Sequence, residues 1–271
     1  MRVTRYREGV KDRARDALVI EEPLETRLSW VGEDGEVRTE PLAVTMRTPG
    51  EDFELVAGFL HGEGVVSEAE DLAGLTYCRG DRAQEYNTVE ARLRPGVPFD
   101  AERMRRNFYA TSSCGVCGKA SLDAVTTLGC TVLPDGPRVS ADLLPELPDL
   151  LRARQEAFDR TGGLHAAGLF QPDGSCLDVR EDVGRHNAVD KVLGAAFLAR
   201  RLPASETILV VSGRASFELV QKAVMAGVPI MVAVGAPSTL AVELANRFGH
   251  TLVGFARNGG CNVYAGEARV A

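Results

Sequence analysis

The spacing of apolar residues predicts a small mixed unit in the first hundred residues. Short alternating runs predict strands at residues 18–20, 28–30, 42–46 and 89–93, with a hairpin turn at 32–35. Leu55, Val56, Phe59 and Leu60 have helical spacing, and Gly62 and Gly64 end the predicted helix. These elements indicate an α+β unit.

Later in the chain, strands and helices alternate. Residues 142–158 predict a leucine-rich helical stretch, whose regular part Pro145 and Pro148 confine to its later portion. Runs at 165–170 and 176–179 predict a hairpin around Asp173-Gly174, followed by a helix with Val189 to Phe197 on one face. The remaining predictions are strands at 207–211, 230–234 and 251–255, the last of the chain, and helices at 217–225 and from an N-cap at Ser238 through Phe248. This order favours an α/β layer with right-handed crossovers.

Charge is divided unevenly along the 271 residues. The formal net charge is −7 and the pI is about 5.3, which argues against general nucleic-acid binding. Residues 1–100 hold 13 basic and 21 acidic side chains, whereas residues 101–271 hold 18 and 17. The near-neutral second part is therefore compatible with a phosphate-bearing ligand.

The chain shows neither a secretory signal nor an apolar run of membrane-spanning length. Six cysteines without a signal peptide favour reduced thiols, so we expect a cytoplasmic protein that does not bind membranes.

Cys114 and Cys117 form a C-x-x-C pair between glycines. This pair has four interpretations: half of a zinc site, with Cys130 as a third cysteine; a thioredoxin-like dithiol; a nucleophilic or sulfur-carrying thiolate; or two small buried residues. The adjacent glycines let another molecule approach, and Arg105, Arg106, Lys119 and a predicted helix start would lower a thiol pKa. Chemistry on sulfur is favoured.

Several motifs resemble those of the formate dehydrogenase accessory sulfurtransferase family, FdhD. They are SSCGVCGKAS at 112–121, TGGLHAA at 161–167, EDVGRHNAVDK at 181–191 and VSGRASFELVQK at 211–222, with EEPL at 21–24 and TPG at 48–50. The resemblance covers nearly the whole chain.

The resemblance implies a sulfur carrier that takes sulfane sulfur from a cysteine desulfurase. It passes the sulfur, as a persulfide on Cys114, to the molybdenum (or tungsten) bis(molybdopterin guanine dinucleotide) cofactor needed by formate dehydrogenase. That cofactor is a bound substrate here, and no intrinsic metal is expected. Cys117 has two open roles, resolving the persulfide or serving as a second carrier. A dithiol redox enzyme and a zinc-binding module are the alternatives, and the family implies a homodimer.

The resemblance also implies a fold and a division of the chain into two domains. We expect a cytidine deaminase-like three-layer α/β domain at 107–271, which includes the C-x-x-C loop, after the smaller acidic α+β domain at 1–106. The zinc signature of deaminases is missing, since Ala-Ala follows His165 and Ser113 precedes Cys114. Deamination is therefore not expected.

By resemblance, the cofactor-binding segment is Phe255, Ala256, Arg257, Asn258, Gly259 and Gly260. Phe255 would contact a base or pterin face, Arg257 a phosphate, and the glycines would bring backbone N–H groups close to oxygens. Many relatives have arginine at the position of Gly260 and an aromatic residue at Cys261, so one expected anion contact is missing. The residues alone favour a turn leading into a strand at Gly259-Gly260.

Arg185, His186 and Arg214 are further candidates because they follow strands of the α/β layer, where ligands collect. The alternative is that Asp182 caps a helix and Arg185 is a surface charge. Among the other histidines, we expect His61 to be structural and His250 to lie on the surface, and His165 is either a core or a site residue.

Overall fold

The computed structural model describes residues 1–78, 86–100 and 129–271, so the C-x-x-C motif lies outside the described residues. The strands are β1 Arg2–Arg7, β2 Val10–Arg15, β3 Glu22–Val31, β4 Val37–Arg47, β5 Leu72–Tyr77, β6 Thr88–Leu93, β7 His165–Phe170, β8 Cys176–Asp182, β9 Ile208–Val211, β10 Ile230–Ala233, β11 Thr251–Arg257 and β12 Gly260–Ala265. The helices of the described ranges are α1 Asp52–Gly62, α2 Leu147–Arg152, α3 Glu156–Thr161, α4 Arg185–Leu198, α5 Phe217–Met225 and α6 Thr239–Arg247.

The first large sheet has four strands in the order β4-β3-β6-β5. β3 and β4 form the predicted hairpin, in which Gly35 N donates to Gly32 O. The inward residues of β3 alternate with outward ones, and Leu24, Leu28 and Val89 pack with Leu55 and Leu60 of α1. The predicted α+β unit is confirmed.

The second large sheet has six strands in the order β12-β11-β10-β9-β7-β8. β9, β10 and β11 run parallel, and β7 runs antiparallel to β8 and β9. Helices α4, α5 and α6 cover one face through a core that includes Val189, Leu219 and Leu244. Helix α2 covers the other face through Leu147 and Leu151. This is a three-layer α/β arrangement, as predicted.

Two glycines bring α1 and α4 into backbone contact. A Cβ atom on Gly58 would lie 1.9 Å from the carbonyl oxygen of Asp190, and one on Gly194 would lie 1.9 Å from that of Glu54. The two sheets are therefore connected through a helix pair that only glycine permits at these positions. The predicted boundary between residues 106 and 107 falls outside the described residues and stays a prediction.

Four expectations were wrong. Residues 18–20 form no strand, because the N-terminal pairing is made by β1 and β2 instead. The stretch 142–158 is divided into α2 and α3, with Pro148 in the first turn of α2. β11 is not the last strand, since β12 pairs with it. His250 is fully buried, and its Nδ1 lies 3.0 Å from Val228 O.

Candidate functional site

The candidate residues of the α/β layer gather at one edge of the six-stranded sheet. β8, β9, β10 and β11 end there at Asp182, Val211, Ala233 and Arg257, and the antiparallel β7 begins there at His165. Loops after parallel strands leave their backbone groups and side chains at such an edge, where ligands of α/β proteins bind. The structure therefore confirms the predicted positions of Arg185, His186 and Arg214 after strand ends.

Asp182 has a structural role at this edge. The carboxylate is fully buried and accepts hydrogen bonds from the backbone N–H of Thr48 and Gly184 at 3.0 and 2.9 Å. The buried Lys191 Nζ lies 2.9 Å from Asp182 Oδ2 and donates to Thr48 O at 3.0 Å. The pair thus fixes the start of α4 against the loop that follows β4, which leaves Asp182 without a free oxygen for a ligand.

His186 lies in the first turn of α4 and reaches the next loop. Its Nε2 is 2.8 Å from Glu218 Oε2 and 3.4 Å from Ser216 Oγ. This hydrogen bond lowers the pKa of Glu218, so the carboxylate is ionised at neutral pH. The sequence analysis did not identify Glu218 as a site residue. Its position two residues after the Ser216 N-cap is the sequence feature that could have indicated it.

His165, Arg185 and Gly213 come together from three elements. A Cβ on Gly213 would lie 3.7 Å from Arg185 Cδ and 3.8 Å from His165 Nδ1, so the glycine leaves a gap between the two side chains. Burial, and then the nearby Arg185, lower the pKa of His165, which keeps its ring neutral. The structure thus places His165 at the site edge. Arg185 Nε is buried and has no hydrogen-bond partner among the described residues.

The loops after β9 and β10 repeat one another in shape. Gly235 N donates to Gly213 O at 3.0 Å, Ser238 N donates to Ala215 O at 3.1 Å, and Ser216 and Ser238 each precede a helix. A Cβ on Gly235 would lie 3.1 Å from Arg214 Cα, which explains why glycine stands there. Arg214 is exposed, and the loop that carries it is fixed by hydrogen bonds from the loop after β10. Gly235 was not recognised from sequence.

The β11–β12 hairpin forms the far end of the edge. Asn258 and Gly259 have φ values of 51° and 75°, typical of a two-residue turn, and Arg257 pairs with Gly260. The turn into a strand that the residues alone favoured is confirmed. An irregularity between Gly254 and Arg257 leaves Phe255 exposed, with φ 54°, and its N–H donates to Gly235 O at 3.2 Å.

The residues of the predicted cofactor-binding segment differ in which of their atoms are accessible to a ligand. Phe255 is 38% exposed, and the Arg257 guanidinium lies 5.9 Å from the centroid of its ring. Ala256 is fully buried in the core shared with α2, so only its backbone is available to a ligand. Gly260 is exposed, and a Cβ there would meet nothing within 4 Å.

The edge is long and cationic. With neighbouring strands about 4.8 Å apart, the four steps from β8 to β11 span about 19 Å. Arg185 and Arg214 lie together beside Gly213, near the middle of this distance, and Arg257 lies at its β11 end. Glu218 is engaged by His186. Such an edge is suited to an extended ligand with several anionic groups.

Cys114 and Cys117 lie outside the described residues, and so do Arg105, Arg106 and Lys119. Cys130, the third cysteine of the zinc interpretation, is described. It is buried with its Sγ 3.0 Å from Met225 Sδ, and burial raises the pKa of its thiol to about 12. In this position it is a protonated core thiol, whereas zinc binds the thiolate. Within the described ranges, no helix is long and apolar enough to cross a membrane.

Fold and site together define a three-layer α/β protein with arginines at the carboxyl ends of its strands. The chain belongs to the FdhD/NarQ family, whose model matches residues 24–271. Relatives carry the name sulfur carrier protein FdhD. That of Streptomyces avermitilis is 55% identical, covering 100% of this chain and 94% of the relative. That of Mycobacterium tuberculosis is 52% identical, covering 94% and 92%.

The fold has a counterpart among crystal structures. A protein from Desulfotalea psychrophila, described as a candidate accessory protein of formate dehydrogenase, matches with a TM-score of 0.74 and 23% identity. The match covers 100% of this chain and 98% of that one. At this identity it supports the fold alone. The finer likeness to cytidine deaminases stays a prediction.

Proposed function

We propose that this protein is a sulfur carrier that takes sulfane sulfur from a cysteine desulfurase and delivers it to the molybdenum (or tungsten) bis(molybdopterin guanine dinucleotide) cofactor of formate dehydrogenase. The observation that carries the proposal is the 55% identity, over the whole chain, to a protein named sulfur carrier protein FdhD. The cationic edge adds a place for an anionic substrate. The carrier would act in the cytoplasm.

Cys114 is the proposed carrier. Its thiolate attacks the outer sulfur of a persulfide on the desulfurase, a new S–S bond forms on Cys114, and the desulfurase thiolate leaves. No electrons are gained or lost overall, because one persulfide is exchanged for another.

Cys117 has two proposed roles. As a resolving thiol it attacks Cys114 Sγ, releases the outer sulfur as hydrosulfide and leaves a Cys114–Cys117 disulfide, which a thiol reductant must reduce. As a second carrier it receives the outer sulfur, and Cys114 returns to the thiol. A disulfide after delivery supports the first role, and a persulfide on Cys117 supports the second.

The cofactor is proposed to lie along the cationic edge as a bound substrate. Arg214 and Arg257 would pair with phosphates and Phe255 would contact a ring face, because these three side chains are exposed there. Among the described residues Arg185 Nε has no partner, and neutral His165 adds a donor without charge. Within the described segments, the residues present therefore fit a large anion.

Loss of Cys114 tests the carrier. Cys114→Ala is expected to fold and to leave formate dehydrogenase inactive in a strain that lacks the native gene. Cys78→Ala, a half-buried free cysteine outside the motif, is the matched control and is expected to restore activity. Normal activity with Cys114→Ala would refute the assignment. Zinc bound stoichiometrically, or dithiol oxidation without sulfur transfer, would favour the two alternative functions.

Binding of guanosine diphosphate tests the edge. Arg214→Gln is expected to weaken binding about tenfold in calorimetry, since one charge-assisted hydrogen bond is lost. The matched control is Arg201→Gln, an exposed arginine beyond the other end of α4. Equal affinity of the two variants would exclude Arg214 from the site.

A further inference from the structure

Glu218 places a carboxylate among the basic side chains of the cationic edge. It lies in the first turn of α5, and its side chain is 43% exposed. The hydrogen bond from His186, and more weakly the charges of Lys222 and Arg185, lower the pKa of Glu218 against the effect of burial. An ionised carboxylate here repels phosphates, so it indicates a ligand that also brings hydrogen-bond donors.

Glu218 differs from the carboxylates at the end of β8 because it has acceptor capacity left. Asp182 is buried against Lys191, and both oxygens of Glu181 accept backbone N–H groups of α3 at 2.8 Å. Glu218 Oε2 lies 2.8 Å from His186 Nε2, whereas Oε1 has no partner among the described residues. Since an ionised carboxylate can accept about four hydrogen bonds, Glu218 can bind two further donors.

Two stacked pairs between α4 and α5 fix the direction of this carboxylate. His186 and Asp190 are one turn apart on α4, and Glu218 and Lys222 are one turn apart on α5. Lys222 Nζ lies 2.6 Å from Asp190 Oδ1, and both side chains are buried. This buried pair specifies one alignment of the two helices, because any other would leave a buried charge unpaired. The His186–Glu218 pair is therefore held one turn above it, at the edge.

A carboxylate in this setting fits a planar ring with two adjacent N–H donors. The 2-amino-4-oxopyrimidine ring of guanine carries a ring N–H beside an amino group, and the ring of a pterin carries the same two donors. One donor can bind each carboxylate oxygen, as in other bidentate pairs with a charged acceptor. Adenine presents an acceptor nitrogen at the same position, which a carboxylate repels.

We propose that Glu218 selects ligands with a 2-amino-4-oxopyrimidine ring by accepting both of its N–H donors, and that His186 is the positioning residue that orients the carboxylate. The inference rests on the proposed function, because guanine and pterin rings are both parts of the cofactor proposed to lie on this edge. The arginines pair with phosphates of any nucleotide, whereas Glu218 discriminates between rings. Sulfur loading of Cys114 does not depend on this selection.

Calorimetry with the native full chain measures the selection without any variant. Inosine diphosphate lacks only the amino group of guanosine diphosphate, and adenosine diphosphate lacks both donors of that edge. We expect guanosine diphosphate to bind about tenfold more tightly than inosine diphosphate and about a hundredfold more tightly than adenosine diphosphate, because one or two hydrogen bonds to a charged acceptor are lost. Neopterin, which has no phosphate, probes the pterin ring separately.

Glu218→Gln keeps the size of the side chain and replaces one acceptor by a donor. Guanosine diphosphate is expected to bind at least about tenfold more weakly, and its preference over inosine diphosphate is expected to vanish. Adenosine diphosphate is expected to bind about threefold more tightly, since an amide matches the donor and acceptor of adenine. General damage would weaken all three ligands. Glu206→Gln, an exposed glutamate before β9 at the opposite end of the sheet, is the matched control and should keep the native affinities.

Two variants of His186 test its positioning role. His186→Gln, whose amide can donate to Glu218, is expected to keep the preference for guanosine over inosine diphosphate within about threefold. His186→Leu, which has no donor, is expected to lose that preference. Loss of the preference in both variants, or in neither, would overturn the positioning role.

The two probes identify the ring that Glu218 binds. A preference for guanosine over inosine diphosphate that requires Glu218 supports guanine, and neopterin binding that requires Glu218, without that preference, supports the pterin. A native chain that binds neither probe would overturn the inference, as would equal losses of all three nucleotides in Glu218→Gln with unchanged neopterin binding. If Cys114 still gains sulfur in those cases, sulfur transfer stands and only the ring selection fails.

Discussion

Substitution of Gly194 by alanine tests the contact that joins the two large sheets. Gly194 lies in the interior of α4, where alanine would normally stabilise a helix by about 1 kcal/mol. In this structure its Cβ would lie 1.9 Å from the carbonyl oxygen of Glu54 and 2.6 Å from the backbone nitrogen of Gly58. Both contacts are with backbone, which cannot rotate out of the way.

The magnitude follows from the distance that the helices must move. Real Cβ contacts are essentially never under 3.0 Å, so α1 and α4 must separate by about 1 Å or more. A gap of that size forfeits a quarter to a half of the dispersion energy of each facing atom pair. We expect Gly194→Ala to lower the free energy of unfolding by about 2–3 kcal/mol and the Tm by about 4–12 °C.

Thermal and denaturant unfolding of Gly194→Ala and the native chain measure this effect. Gly260→Ala, where a Cβ meets nothing within 4 Å, is the control and is expected to change stability by less than about 0.5 kcal/mol. Because α4 carries Arg185 and His186, Gly194→Ala is also expected to weaken guanosine diphosphate binding. A Gly194→Ala protein more stable than the native chain would refute the close helix contact.

Two further predictions concern Gly260 and His250. Gly260→Arg is expected to tighten guanosine diphosphate binding about three- to tenfold in calorimetry, because the position is open and pairs with Arg257 in the β11–β12 hairpin. Gly260→Gln is the neutral control, and unchanged affinity would place the ligand elsewhere. Burial lowers the pKa of His250 from its usual 6.5 to about 3, so the stability that its neutral form supports is complete above pH 6.5 and is lost as the pH falls towards 3. At pH 5 this loss is about 2 kcal/mol in the native chain. His250→Asn, whose amide can donate to Val228 O, is expected to show no such loss between pH 7 and pH 5 in urea titrations. An equal change in the free energy of unfolding between pH 7 and pH 5 in the two proteins would contradict the burial.

Local rules were sufficient for the elements with strong periodicity. The helix at Phe217–Met225 and the Ser238 N-cap, whose Oγ accepts from Ala241 N, follow from residue spacing and from side-chain capping, which act within a few residues. The alternating Val89, Ala91 and Leu93 lie in the predicted strand, β6, and all three are buried. The α/β layer followed from the alternation of strands and helices, whereas its three-layer form was implied by the family resemblance.

Features set by tertiary contact were beyond those rules. The residues next to His250 form no apolar pattern that predicts its burial. In the fold the side chain is nevertheless fully buried, with its Nδ1 beside Val228 O. Gly58 and Gly194 are 136 positions apart and are only recognisable as a pair once α1 and α4 cross. Glu218 and His165 join the site because strand order brings distant segments to one edge. The arginines at strand ends were predictable because each follows its own strand directly.

The central claim is that Cys114 carries sulfur, and mass spectrometry of the intact protein tests it most directly. After incubation with a cysteine desulfurase and cysteine, the account predicts a mass gain of about 32 Da, one sulfur atom, mapped to Cys114 and removed by a thiol reductant. The adduct should be absent from Cys114→Ala and present in Cys78→Ala. A chain that gains no sulfur, or gains it only on Cys78, Cys130, Cys176 or Cys261, would contradict the account.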